Sequence, residues 1–557
     1  MPQPTSVSDS ALIATCSEAL TAARTLLDAA QRAVRAAVTR DGRVDSALVD
    51  AEQTAAHGLA WLATYVAALE RMLEWARRLD SSDGFGDREA LILRAAFGEY
   101  LAQIGGGIAM SQTETVRPHD LGLDETTTAA FLTPAVSALI ASGNTADSRA
   151  RLAESLDGSS PDGFGDPALD DDTLAMIRDQ FRRFGDTVVL PGGPVWHRED
   201  SLIPADVIAQ MGALGVFGLT APEVHGGAGL GKVAMCLVTE ELSRAFLGVG
   251  SLATRSEIAI ELLLRHGTED QKARWLEGLI DGSIIPGAVF TEPDYGSDLA
   301  SLKTRAVRDG DVYRLNGAKT WSTHAARADL LTVLARTDPS ERGYKGLSMF
   351  FVEKPRGTES DAFPIEGLKG GEIKVLGYRG MKEYELAFDD FPVPATALLG
   401  GEEGQGFKQL MATFETARIQ TAARAVGVAR NALELGLAYG RDRQQFGRPI
   451  AAFPRVGGKL AWMAVETMIA RQLTWHAARE KDAGRRCDLE AGMAKLLAAR
   501  VAWANADCAV QIHGGNGYAE EYPVSRVLVD SRILSIFEGA AEIQAHIIAR
   551  RLLAESG

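Results

Sequence analysis

The stretch DVYRLNGAKTWST, residues 311–323, marks the point at which this 557-residue chain changes texture. Tyr313 and Leu315 alternate with Arg314 and Asn316, the period-2 pattern of a half-buried strand. LSMFFVE at 347–353 repeats the strand signal, and Gly and Pro punctuate the intervals. A β domain is therefore expected over 286–397. Upstream, 173–285 is patterned for helices, with a break at PEVHGGAGL (222–230). Downstream of GGEEGQGF (400–407) long helical patterns return, so 398–557 reads as a second helical domain.

Residues 1–156 are patterned for helices almost throughout. Leu59, Leu62, Val66, Leu69, Leu73 and Ala76 step by three and four and build one apolar face. The phrase DGFGD interrupts this pattern at 83–87 and recurs at 162–166. The second copy lies in DGSSPDGFGDPALDDD (157–172), which has the composition of a linker. No chemical motif occurs in the first 156 residues, which read as a helical extension for docking or packing. The expected fold is α+β and multi-domain, in roughly three or four domain-sized units.

Asp plus Glu number 74 against 58 Lys plus Arg, a formal charge of −16. That balance argues against general binding to nucleic acid or anionic membranes, since both require a cationic face. Cys16, Cys236, Cys487 and Cys508 are scattered without a CxxC pair, which suggests neither a metal site nor a disulfide framework. The opening MPQPTSVSDSALIATC lacks a basic and an apolar signal region, and no run of about 18 apolar residues occurs. A cytoplasmic protein is expected.

Several short segments carry chemistry, each beside a plainer reading. FTEPDYGSD (290–298) is either an ordinary polar loop or a backbone cradle for a phosphate or ring edge. Trp321 and Thr323 are two apart on the presumed strand and so share a face. An aromatic slab beside a hydroxyl suits a flat heterocycle, and Trp321 equally suits a core. RDRQQFGRPI (441–450) offers Arg443 to a phosphate or is a solvated charge cluster. QIHGGNGYAEEYP (511–523) is a Gly-rich break that either ends a helix or delivers backbone donors to a pyrophosphate. In ILSIFEGAAEIQ (533–544), Glu538 sits among Ile533, Leu534, Ile536 and Phe537. It is either a surface acid beside a turn or a base whose proton affinity is raised by apolar neighbours.

In this order and texture, PEVHGGAGL, HGTEDQK (266–272), TEPDYGSD, KTWST, GYRG, RQQFGRPI, QIHGGNGY and FEGAAEIQ resemble the acyl-CoA dehydrogenase family over about 173–557. These are flavoenzymes that oxidise acyl-CoA thioesters. The resemblance implies a helical domain, a β-barrel middle domain and a C-terminal four-helix bundle. It also implies FAD as cofactor, with Phe290, Thr291, Ser297, Trp321 and Thr323 at the flavin and Thr323 near N5. Arg443, Phe446, Gln511, Gly514 and Gly515, together with Glu542, match positions for the rest of FAD. Several of these usually serve the neighbouring subunit, which implies a homodimer. Arg418 matches a contact to the CoA 3′-phosphate, and Ser297 and Gly539 match substrate contacts. Glu538 occupies the position of the base that removes the α-proton while the β-hydrogen leaves as hydride to flavin. An electron-transfer flavoprotein is the implied acceptor.

Some relatives carry the base on the helix after the β domain, where this chain has Ala417. Other departures bear on the flavin: Phe537 replaces a common Tyr, Ala540 a Thr, and Pro454 a Gln. Glu383 in RGMKEYE (379–385), expected near the flavin or acyl pocket as a substrate contact, stands where many relatives have a small hydroxyl residue, and TRSEIAIELL (254–263) puts Arg255 and Glu257 on the helix expected to line the acyl pocket. Arg255 and Glu257 either contact each other or lie apart in solvent, or Arg255 receives the carboxylate of a short dicarboxylic acyl group. The RSEI and MKEYE stretches and the long extension point within the family to (2S)-methylsuccinyl-CoA, oxidised to mesaconyl-CoA in the ethylmalonyl-CoA pathway. The alternatives are a branched or medium monocarboxylic acyl-CoA, an oxidase or monooxygenase on the same fold, and a non-catalytic DNA-associated member. The extension is expected to cover a surface that other members use to form tetramers.

Overall fold

The computed structural model describes residues 9–169, 171–358 and 360–555. The expectation for residues 1–8 and the linker position Asp170 lie outside them. The chain divides into two compact units, Met1–Asp179 with Thr421–Gly557, and Gln180–Gln420. Among the described residues no helix is long and apolar enough to cross a membrane. The α+β multi-domain class expected from the sequence is the one observed.

The first unit is helical. Helix Gln53–Ser81 packs on Asp9–Ala37, Asp87–Gly106, Pro454–Asp482 and Ala541–Glu555. The predicted stripe of Leu59, Leu62, Val66, Leu69, Leu73 and Ala76 is buried, but so are Trp61, Tyr65, Ala68, Met72 and Trp75. The helix is surrounded rather than laid on a surface, so its apolar region is wider than one stripe. Polar groups fix its register. Arg500 of helix Asp488–His513 donates to Tyr65 Oη at 2.7 Å and to Glu466 Oε1 at 3.1 Å. Its guanidinium lies 5.0 Å from the Trp61 ring centroid. Tyr65 and Tyr100 stack at 4.1 Å. The expected linker contains no helix over its described residues 157–169 and 171. It is nevertheless packed: Phe164 is buried, Trp75 Nε1 donates to the Asp166 carbonyl at 2.8 Å, and Gln472 to the Pro167 carbonyl at 2.9 Å.

The second unit opens with helices including Ala205–Ala213, Lys232–Ala245, Leu247–His266 and Glu269–Asp281. The HGTEDQK motif is the start of the last of these. Thr268 and Gln271 each receive the other's backbone N–H, a capping box that satisfies two otherwise orphaned donors. A seven-stranded sheet follows. From one edge its strands run Leu368–Ile373, Glu383–Pro394, Val312–Lys319, Arg305–Asp309, Leu330–Arg336 and Pro286–Val289, with Leu347–Glu353 paired to Leu330–Arg336. Most pairs are antiparallel. Pro286–Val289 runs parallel to Leu330–Arg336, and a register shift interrupts Glu383–Pro394 between Phe388 and Phe391. Tyr313, Leu315, Val333, Phe350 and Phe391 fill the core beneath the sheet.

The strand predicted across 311–323 stops at Lys319. Trp321 takes a left-handed φ of 55°, which ends the alternation. Trp321 and Thr323 therefore do not share a strand face: Trp321 is 55% exposed and Thr323 is buried.

Candidate active site

In the unit of residues 180–420, the FTEPDYGSD loop is held from beneath. Lys319, fully buried, donates to the Phe290 carbonyl at 2.9 Å and to Glu292 Oε1 at 3.1 Å. Glu292 also accepts the Lys303 and Thr304 N–H groups at 2.7 and 2.8 Å. Burial pushes the Lys319 ammonium down to about 8 despite the facing carboxylate. Burial raises the Glu292 carboxyl, but Lys319 and the hydrogen bonds from Thr304 and Lys303 outweigh it and leave it below its ordinary value. Glu292 is thus the anchor of the loop, leaving Thr291 half-buried and Ser297 exposed. Phe290 packs on a second apolar cluster, in which Leu334 and Phe351 of the sheet meet Leu262 and Leu263 of helix Leu247–His266.

Beyond Lys319 the chain turns sharply. Ser322 and His324 donate their N–H groups to the Tyr384 and Lys382 carbonyls, each at 2.9 Å, so the WST segment is stitched to the start of strand Glu383–Pro394. This places the Thr323 hydroxyl against Glu383. Thr323 Oγ1 donates to Glu383 Oε2 at 3.0 Å and accepts from Arg255 Nη2 at 2.8 Å. Arg255 Nη1 reaches Tyr378 Oη at 3.1 Å. Burial raises the Glu383 carboxyl to about 7, while Arg255 and the Thr323 hydroxyl pull the other way. His324 is buried, and burial with the nearby Arg327 and Arg255 pushes its imidazole down to about 3. The Arg255–Glu257 contact considered from the sequence is not what forms. Two residues apart on a helix, the side chains diverge by about 200°, and Glu257 is engaged by Lys232 and Thr220. Arg418 is buried with its guanidinium 5.6 Å from the Phe414 ring centroid.

In the unit built from 1–179 and 421–557, Glu538 lies between the short helical turn Ile533–Ser535 and helix Ala541–Glu555. Glu538 and Gly539 are both left-handed, with φ of 53° and 92°. The φ of Gly539 favours glycine whatever the space, and a Cβ there would also stand 2.2 Å from Gln544 Nε2, so that side chain would have to shift. Gln544, fully buried, donates to the carbonyls of Glu538 and Gly539 at 3.3 and 3.4 Å, and buried Lys495 donates to the Gly539 carbonyl. The turn aims the Glu538 carboxylate at helix Gly406–Asp442. There Arg424 Nη2 donates to Oε1 at 2.7 Å, and the Thr421 hydroxyl donates to Oε2.

The Glu538 side chain is 19% exposed and that of Arg424 is 0% exposed. The apolar surroundings expected for Glu538 are only partly present: Leu534 is buried, Ile536 is 50% exposed, and the Phe537 ring lies 4.8 Å from the Arg424 guanidinium. Arg424 and Thr421 escaped the sequence reading. Their signal was helical spacing, because Ala417, Thr421 and Arg424 fall at i, i+4 and i+7 and share a face.

The remaining expected cofactor positions of this unit lie on its surface. Arg443, Gln511, Gly514, Gly515 and Glu542 are exposed, and Phe446 is 92% exposed at a left-handed hairpin tip. The two loops are tied together, since Tyr439 stacks on His513 at 4.2 Å and receives a hydrogen bond from Asn516 at 3.0 Å. Pro454 begins helix Pro454–Asp482, as proline suits a first helical turn. Among the described residues no group of three or more His, Cys, Asp or Glu is placed to hold a metal.

The chain belongs to the acyl-CoA dehydrogenase family. Residues 171–283, 287–391 and 404–553 match that family's N-terminal, middle and C-terminal domains. Among characterised relatives it is 60% identical to (2S)-methylsuccinyl-CoA dehydrogenase of Cereibacter sphaeroides over 543 residues, 97% of this chain and 98% of the relative. The fold is similar to butyryl-CoA dehydrogenase from Megasphaera elsdenii, with TM-score 0.65, 33% identity, and coverage of 69% of this chain and 98% of the other. Glutaryl-coenzyme A dehydrogenase in complex with glutaryl-CoA matches equally well, with TM-score 0.65, 33% identity, and coverage of 69% and 96%.

Proposed function

We propose that this enzyme oxidises (2S)-methylsuccinyl-CoA to mesaconyl-CoA with FAD, Glu538 acting as the base. The observation that carries the reading is the paired left-handed turn at Glu538–Gly539, which holds a carboxylate at a fixed orientation against Arg424 and Thr421. Strained backbone of this kind persists where its surroundings enforce it, as at functional sites. Similarity along almost the whole length of the Cereibacter enzyme supports the substrate.

The residues present fit FAD. Trp321 offers an exposed aromatic slab, and the buried Thr323 hydroxyl follows two residues later in the chain. Arg443 offers a cation to a phosphate, and at Gly514 and Gly515 an added Cβ would meet no atom within 4 Å, so the backbone there is open to a pyrophosphate. Phe290, Thr291, Ser297, Phe446, Gln511 and Glu542 complete the proposed contacts. When bound, FAD supplies the acceptor for the hydride that leaves the β-carbon.

Glu538 removes the α-proton. Its oxygens accept from Arg424 Nη2 and the Thr421 hydroxyl, which hold the carboxylate in the orientation from which it takes that proton. The backbone N–H of Glu538 polarises the thioester carbonyl and stabilises the developing enolate. Arg255 receives the distal carboxylate of the acyl group in a charge-assisted hydrogen bond that a neutral chain does not make. Arg418 binds the CoA phosphate, and Gly539 lies along the thioester. A homodimer in the cytoplasm, with an electron-transfer flavoprotein as acceptor, completes the proposal.

The test is anaerobic mixing of the flavin-loaded enzyme with methylsuccinyl-CoA, butyryl-CoA and isobutyryl-CoA. Flavin bleaching is expected to be fastest with the first, and Arg255→Ala to narrow that preference. Glu538→Gln should retain flavin but bleach slower by roughly 10²–10⁴-fold, the usual contribution of a positioned base. Equal bleaching with butyryl-CoA, unaffected by Arg255→Ala, would reject the dicarboxylate reading.

A further inference from the structure

Glu383 has no part in the reaction just described, yet it is a buried carboxyl joined to Thr323, a residue assigned to the flavin edge. Its oxygen Oε2 lies 3.0 Å from Thr323 Oγ1, and Arg255 Nη2 approaches the same hydroxyl at 2.8 Å. Those two bonds constrain where the hydroxyl proton goes. A guanidinium only donates and stays charged at any working pH, so Thr323 must accept from Arg255. A hydroxyl carries a single proton. While Glu383 is ionised, that proton is drawn to the carboxylate, and toward anything else Thr323 presents only lone pairs. Once Glu383 is protonated, the carboxyl O–H donates to Thr323 instead, and the threonine proton is released for another acceptor.

We propose that Glu383 is a positioning residue whose protonation decides whether the Thr323 hydroxyl donates or accepts at the flavin N5 edge. The inference rests on the proposed FAD reading. Flavin N5 has a lone pair and no proton when oxidised, and bears a proton when reduced. One hydroxyl can satisfy both states only if its direction reverses, and a fixed neighbour such as a second threonine offers no charge change to drive the reversal.

The surroundings single out Glu383 for this role. Helix Leu247–His266 presents Arg255, whose charge is fixed. The turn after strand Val312–Lys319 presents His324, held neutral down to about pH 3, with Arg327 behind it. The chain leading into Glu383 brings the Tyr378 phenol, which faces Arg255, and Lys382, which pairs with Glu372 of the neighbouring strand at 3.1 Å. Burial holds the Glu383 carboxyl at about 7, so both hydroxyl directions are populated near neutrality.

The experiment is a pH titration of the oxidised holoenzyme reconstituted with ¹⁵N-labelled FAD, following the N5 chemical shift by NMR. The wild type is expected to show one step centred near pH 7, with N5 hydrogen-bonded on the acid side. Thr323→Val and Glu383→Gln should abolish the step while retaining flavin. An N5 shift constant through neutrality in flavin-bound wild type overturns the proposal without recourse to any variant, as does an unchanged step in Glu383→Gln. Failure of the protein to bind FAD at all would instead defeat the underlying functional reading.

Discussion

Arg424 and Glu538 meet at 2.7 Å, the guanidinium fully buried and the carboxylate at the end of a strained turn. Removing one partner of a largely buried ion pair leaves the other desolvated and facing the wrong group. Arg424→Met is therefore expected to destabilise the enzyme by about 2–4 kcal/mol. Glu538→Gln with Arg424→Met should cost less than the sum of the single changes, by about 1–3 kcal/mol. Urea unfolding of the four proteins measures this coupling; strict additivity would show that the pair acts independently.

Gly539→Ala should be severe for its size. The substitution meets a left-handed φ and places a methyl group against Gln544. A loss of about 1–3 kcal/mol is expected from the strained residue, with flavin bleaching slowed because Glu538 is re-aimed. Gln544→Ala should not restore bleaching in Gly539→Ala, since it relieves the clash but not the dihedral and removes a donor to both carbonyls. Recovery in that double variant would place the whole effect on the clash.

Lys319→Met tests the anchor of the FTEPDYGSD loop. It removes the cation facing buried Glu292, with an expected destabilisation of about 3–5 kcal/mol. Adding Glu292→Gln should recover part of the loss. Limited proteolysis should cut the single variant within 290–303 faster than the wild type; an unchanged cleavage pattern would mean that the loop is held elsewhere.

Deleting residues 1–156 should yield an aggregating protein. The deletion uncovers the surfaces of Pro454–Asp482 and Ala541–Glu555 on which Gln53–Ser81 packs, and removes Tyr65 and Tyr100 from half-buried Arg500 and Tyr100 from buried Glu466. Light scattering decides the outcome. A monodisperse truncated enzyme with full bleaching activity would show the extension to be dispensable.

The α+β order was legible because burial imposes periods of 3.6 and 2 on any sequence, and residues 53–81 and 311–319 keep them. Segment ends were less visible. Nothing in the letters of KTWST announces that Trp321 adopts φ 55° and breaks the strand, because a left-handed non-glycine is enforced by tertiary neighbours. The Glu538 segment stood out through its single acid among apolar residues, but half-exposed Ile536 shows that local apolarity does not measure burial. Arg424 and Thr421 were hidden by sequence distance. The meeting of residues 421, 424 and 538 is a property of packing, whereas the capping box at Thr268 is local and could be read directly.

The unit holding Glu538 is made from the first 179 and the last 137 residues of the chain. During synthesis its opening helices leave the ribosome long before their partners exist. At 5–20 residues per second, the intervening segment alone occupies roughly 10–50 s. Helix Gln53–Ser81 must spend that interval without Ala541–Glu555 to pack against it. The nascent chain is thus a natural client for holding chaperones, and the yield of working enzyme depends on how fast translation finishes as well as on how stable the finished molecule is.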